Sequence, residues 1–423
     1  MEKKENFFTK LGSKIKFFFV HLFKPIDKDN PSYMYKFIKN NGVQSAIASL
    51  ACAIIGLFIG FLILLFINPE HALEGIKTIL LNFFVSTRKV TRIKNFGITL
   101  AKTVPLILTG LSVLFCYKTG LFNIGAAGQY TIGIAACLVA ACDWHLPWYL
   151  CILIAAIAGA IWGGIVGLLK AFLNVNEVIS AIMLNWIGLY LTNIILKSSL
   201  SFDQSKNETF RVASINPSAI IPDLGLQGAN AFGPNSYVTL AIIIVPIICI
   251  LIFLFLRHST FGYELKATGS NKDAARYSGM KEKRNIIVTM AIGGAIAAMA
   301  APFYYLTNIE QYFYPTSVPS MGFNGISSAF LGGLDPIGVI FSSYFLTHIT
   351  EGGAKIDTRF YSTEISSLVS SMIIYLCAFV FFMKYILNKI LQKKREEKRI
   401  KEETSIRKLE DDKTSIKEEV NNG

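Results

Sequence analysis

Charge is what this chain has least of. Only 16% of its 423 residues are Asp, Glu, Lys or Arg, whereas a soluble domain carries about a quarter. Hydrophobic residues make up 52%, and the mean hydropathy is +0.47. These values exclude an ordinary soluble domain and point to an integral membrane protein. No Gly-Lys dipeptide occurs anywhere, so there is no GxxxxGK[ST] loop to cradle a phosphate. If ATP drives this protein, another chain must bind it, and no cofactor is expected on this one. The seven cysteines (Cys52, Cys116, Cys137, Cys142, Cys151, Cys249, Cys377) lie within or beside apolar runs and lack CxxC spacing. The five histidines are scattered, so neither a disulfide, a metal site nor an enzyme's clustered catalytic set is expected.

The net charge of +13 does not indicate nucleic acid, because the charges sit at the two ends and in the loops. There, basic residues orient spans and meet anionic headgroups. Residues 1–44 hold nine Lys among phenylalanines such as Phe7, Phe8, Phe17, Phe18, Phe19 and Phe23. That mixture suggests an amphipathic cytoplasmic helix on the inner leaflet. Residues 384–423 mix twelve basic with nine acidic residues and read as a charged cytoplasmic tail.

Between the termini, residues 45–383 form the membrane domain. Runs of about 20 apolar residues span a bilayer as helices. They fall at 45–67, 98–117, 124–142, 148–169, 178–196, 237–256, 286–306 and 365–383. Loop 257–285 carries seven Lys/Arg against three acids, which places it in the cytoplasm. With a cytoplasmic N-terminus, six spans precede that loop, so 197–236 is external. Segment 322–350, interrupted by Gly332, Gly333 and Pro336, must begin and end outside; it is a re-entrant pair of half-helices or two short tilted spans. The fold class is therefore an all-α polytopic membrane protein of about eight full helices plus a broken pair. One loop disagrees: 68–97 would be external yet carries five Lys/Arg. Parity is the stronger argument, since reversing this loop would also expose 257–285. His71–Val85 reads as a short helix lying on the outer surface.

Four motifs carry the functional reading. Gly120–Tyr130 reads GLFNIGAAGQY. Its Asn123 and Gln129 are costly at membrane depth unless partnered or wet, and Gly125 and Gly128 favour a broken helix. Asn174–Trp186 reads NVNEVISAIMLNW, with Asn185 two turns inside the span and Glu177 at its start. Gly322–Pro336 is a third Gly-interrupted stretch, and FGYELKATGSNKDAARYSGM lies in loop 257–285. In that loop Asn271 can cap a short helix, Ala274 and Ala275 favour it, and Gly279 can stop it. The patterns GLFNIGxEGQ, NEVISTxMLNY and GFxGIAxALLGxxxP, together with the basic loop, resemble ABC-importer permeases of the branched-chain amino acid, simple-sugar and nucleoside group. The chain departs from the first pattern at Ala127, where Glu is usual.

The resemblance covers roughly residues 45–383. It implies a cell-membrane permease subunit with no ATPase site of its own, served by a cytoplasmic ABC ATPase, a second permease subunit and an external substrate-binding lipoprotein. The ATPase would dock on Gly269, Asn271, Ala274, Ala275, Tyr277 and Gly279. Asn123, Gln129 and Asn185 would line the solute path; being uncharged, they suit a neutral polar solute such as a nucleoside, and the resemblance puts nucleosides first, simple sugars second and branched-chain amino acids third. An ion-coupled secondary transporter is the rival reading, but the spans hold almost no charge beyond Lys102, taken to lie near a helix end.

Overall fold

The computed structural model describes residues 41–199, 201–228, 231–377 and scattered positions onward to 404. Most of the basic N-terminal segment and of the charged tail therefore lies outside the described residues. The chain divides into a main unit, Cys52–Ala378, and a terminal unit made of residues 1–51 and 379–423.

The described residues are mostly helical, as the apolar runs dictate. Helices α1 (Asn41–Ile67), α2 (Ala72–Leu81), α3 (Lys89–Lys118) and α4 (Ala126–Leu138, extended by a π turn, Val139–Asp143) are followed by α5 (Trp148–Leu173) and α6 (Glu177–Ser198). Next come α7 (Ala241–His258), α8 (Thr260–Ser270), α9 (Lys272–Tyr277) and α10 (Glu282–Met299). The series closes with α11 (Ser320–Leu331), α12 (Pro336–Gly353) and α13 (Thr363–Cys377). Among the described residues, seven helices are long and apolar enough to cross a membrane, or eight if Thr363–Cys377 and Phe382–Ile390 are taken as one span. The protein is thus a multi-pass membrane protein.

Two boundaries differ from the sequence reading. Helix α3 begins at Lys89, nine residues before the apolar run at Ile98. Its first turns mix polar with apolar residues and are partly exposed, and Arg92 closes them by donating Nε–H to the Ser86 carbonyl at 2.6 Å. Lys102 consequently sits mid-helix, not near an end. Segment 322–350 is two helices, of 12 and 18 residues, joined by a tight turn. At 1.5 Å per residue, α11 reaches only about 18 Å, too short for a hydrocarbon core of about 30 Å. The turn needs Gly333 at φ +67°, and Asp335 caps α12 by accepting from the backbone N–H of Ile337 (3.0 Å) and Gly338 (3.2 Å).

Glycine decides how the long helices pack. Gly159, Gly163 and Gly167 on α5 lie directly against Gly294, Met290 and Ile287 of α10, so their backbones approach more closely than a Cβ would permit. Gly56 and Gly60 similarly seat α1 against Ile373 and Val369 of α13. Helix α3 is the hub, buried from Thr103 to Cys116 and packed by α10, α11 and α12.

The segment between α6 and α7 is an ordered cap. Strands β1 (Phe202–Asp203) and β2 (Glu208–Thr209) pair antiparallel, and a single bridge joins Glu208 to Phe313. Asn216 donates its amide to the carbonyls of Ala141 (2.8 Å) and Leu146 (3.0 Å), tying the cap to the end of α4.

Candidate functional site

Beside the capped end, a cavity of 350 Å³ opens between α3, α4, α11, α12 and the short helical turn Pro302–Tyr305 that follows α10. Tyr130, Tyr304 and Tyr305 line it with aromatic surface, Leu106 and Met321 with apolar surface, and Asn324, Glu310, Lys102 and Glu351 with polar groups. That volume and lining belong to the range of small-molecule sites. Lys102 Nζ donates to Glu351 Oε1 at 2.8 Å, joining the middle of α3 to the far end of α12. Next to them Lys355 donates to Asn82 Oδ1, and Asn82 in turn donates to Thr99 Oγ1 at 3.2 Å. Burial pushes the Lys355 ammonium below its usual range; Glu351 opposes that fall and Lys102 adds to it. Tyr304 donates its hydroxyl to Glu310 Oε2. Sequence reasoning set Lys102 aside and stopped one residue short of Glu351; only packing α12 on α3 makes the pair visible.

Asn123, Gln129 and Asn185 do not line this cavity. Asn123 and Gln129 are buried and exchange two hydrogen bonds: Asn123 Nδ2 to Gln129 Oε1 (2.8 Å), and Gln129 Nε2 to Asn123 Oδ1 (3.1 Å). Asn123 also donates to Ser112 Oγ at 2.9 Å, and Ser112 donates to the Gly293 carbonyl at 2.6 Å. The amides thus knit α3, the 119–125 break and α10 together. Asn185 acts on the same break from α6: it accepts from the Gly128 N–H at 2.8 Å and donates to the Ile124 carbonyl at 3.2 Å. Helix α4 has no side-chain cap of its own at Gly125, so Asn185 satisfies one of its open N–H groups from a neighbouring helix. Gly128 is required there, since a Cβ would stand 2.7 Å from Asn185 Cα.

Ala127, where the resembling permeases carry an acid, is fully buried, and Gly322 of α11 presses on its backbone. A larger side chain at either place would separate α11 from α4.

At the opposite end, Asn271 caps α9 by accepting from the Ala274 N–H at 3.0 Å, and Gly279 turns the chain at φ +80°. Ala275 is buried in its own chain at 3% exposure, whereas Tyr277 is 94% exposed. Asn271, Ala274 and Gly279 are exposed too, and Tyr277 is the largest side chain this set offers outward. Gly269 on α8 packs against Thr119 and Gly120, where Gly120 adopts φ +80° at the start of the break. Asn285 donates to Thr268 Oγ1 at 2.9 Å, and Arg284 to Glu264 Oε2 at 2.8 Å, fixing α8 to α10. Among the described residues, no group of three His, Cys, Asp or Glu could hold a metal ion.

Comparison with known proteins agrees with this architecture. The chain is 32% identical to the guanosine ABC transporter permease protein NupP of Bacillus subtilis over 70% of its own length and 84% of that protein's. It is 29% identical to the nucleoside ABC transporter permease protein NupB of Lactococcus lactis, over 83% of this chain and 95% of the relative. The glucose ABC transporter permease protein TsgB13 of Haloferax volcanii is 28% identical over 70% of this chain and 80% of its own length. No solved structure matches the chain. The family model described as branched-chain amino acid transport system / permease component matches residues 95–378, most of the membrane-spanning part, and the chain belongs to that family of transport permeases.

Proposed function

We propose that this chain is the membrane-spanning permease subunit of an ATP-driven importer of nucleosides. The observation that carries the reading is the likeness to a guanosine permease over 84% of that protein's length. The cavity supports it: three tyrosines supply flat surface on which a base can stack, and the polar groups around them suit a sugar or base edge. A glucose permease relative keeps simple sugars as the second reading.

In this proposal the solute enters from the capped, external end, delivered by a separate binding protein. A cytoplasmic ATPase grips α9 through Tyr277 and the ends marked by Asn271 and Gly279. Its motion passes through Gly269 to Gly120, and so to the break that Asn123, Gln129 and Asn185 hold in register. These three amides serve the path by fixing the start of α4 beside the cavity-lining Tyr130. A second permease subunit supplies the other wall of the pore, and both termini lie in the cytoplasm. The Lys102–Glu351 pair is no argument for ion coupling, because each charge is already satisfied by the other.

The test is uptake by the complex reconstituted in vesicles, offered labelled guanosine, glucose and leucine in turn. ATP-dependent guanosine uptake is expected. Uptake of glucose or leucine without any nucleoside would overturn the cargo.

A further inference from the structure

We infer that Asn324 is the residue that selects the solute's base, and that it reads a 6-oxopurine. This rests on the nucleoside reading above. Asn324 lies on α11, half-buried in the cavity wall. The other interior amides of the break are saturated: Asn123, Gln129 and Asn185 spend their polar atoms on each other or on backbone. The Asn324 side chain has no hydrogen-bond partner within the described residues, and it faces open volume beside Tyr130, Tyr304 and Tyr305. A half-buried amide that the fold leaves unpaired is free to meet a solute in the cavity.

Its position is fixed from both sides. Gly322 rests on the backbone of Ala127 in α4, and a Cβ at Gly325 would lie 2.8 Å from Thr109 of α3. Helix α11 cannot roll without lifting off both neighbours, so the backbone that carries the amide is held at one place in the wall. Such pre-positioning is what a discriminating polar group needs.

The chemistry of the wall then selects the base. A carboxamide offers a donor next to an acceptor, which matches the O6 acceptor and N1–H donor of a 6-oxopurine. Glu310 Oε1 and Glu351 Oε2 remain without partners after their sister oxygens bind Tyr304 and Lys102. Being acceptors only, they favour a base rich in N–H donors. Guanine has three N–H bonds on its pairing edge, whereas adenine has two and presents a bare N1.

Asn324→Leu tests this while nearly keeping the shape. Leucine offers neither the donor to O6 nor the acceptor for N1–H, so it removes the reading of the base edge without adding a charge. Uptake of guanosine and of adenosine would be measured in vesicles with the complete complex and the same binding protein throughout. Wild type is expected to favour guanosine. Asn324→Leu and Asn324→Ala should each lower guanosine uptake and bring the guanosine-to-adenosine rate ratio toward one, by about tenfold. A ratio does not depend on how much variant inserts, so a purely structural role would leave it unmoved. An unchanged ratio in both variants overturns the role of Asn324 alone. If wild type imports neither nucleoside, the cargo and this inference fall together.

Discussion

Asn123 and Gln129 illustrate how a polar residue at membrane depth can be bound within the protein without touching the solute. Both are essentially without exposure, and each amide answers the other. Removing one partner orphans the other in a buried site, which costs about 1–3 kcal/mol, whereas replacing both by apolar side chains of like shape is nearly neutral. Asn123→Ala should therefore lower the melting temperature of the detergent-purified protein, and the double change Asn123→Leu with Gln129→Met should recover most of it. Equal melting of wild type and Asn123→Ala would mean the amide pair is not holding the break. Ala127 has a related lesson. Nothing in GLFNIGAAGQY signals that this position lies beneath a glycine of a helix almost two hundred residues away, yet Gly322 leaves room there for little more than a methyl group.

Among the elements, α9 is the one whose job depends on which side chains point away from the protein. Composition and capping single out Asn271–Gly279, and within the six-residue helix only Ala275 is buried. Ala275 faces its own chain, so a charge placed there would disturb the permease itself. Tyr277 is the informative probe. Tyr277→Asp should insert normally while solute-stimulated ATP hydrolysis by the complex falls about tenfold or more, as expected for losing an aromatic anchor at an interface. Full stimulation in that variant would remove α9 from the docking surface. The α11–α12 pair makes a second point at this scale. Gly332, Gly333 and Pro336 announce a break, and parity forbids a single crossing, but the 12-residue length of α11 is what makes this a half-helix.

For the whole molecule, the arrangement of ends is open to direct measurement. The proposed topology puts the β1–β2 turn at Asn207 and the loop at Arg359 at the end reached by an odd number of crossings, and Lys272 at the other. Single cysteines at Asn207 and Arg359 should react with an impermeant maleimide in intact cells, and one at Lys272 only after permeabilisation. Arg359 is chosen over Lys355 because its side chain is 80% exposed, whereas Lys355 is tied to Asn82. Labelling of Asn207 and Lys272 from one side would break the count of six spans before the cytoplasmic loop. Labelling of Arg359 only after permeabilisation would mean that α11–α12 crosses the membrane once.

The amino-acid sequence by itself determined the helical, multi-pass character, because a chain with long apolar runs and few charges can satisfy its backbone in a bilayer only by helices or a closed barrel. It also determined the approximate spans, the break at Gly332–Pro336 and the capped helix after Asn271, since hydropathy, glycine, proline and capping residues act through near neighbours in the chain. The tertiary structure alone decided which polar residues face open space. Asn123 and Asn324 are the same residue type in similar Gly-rich stretches, yet one is locked to Gln129 and the other lines a cavity. Likewise, Lys102 reads as a stray charge until α12 brings Glu351 to 2.8 Å from it across 249 residues of chain. Contacts of that kind depend on how glycine-lined helix faces pack, and helix packing is set by distant partners that local sequence does not name.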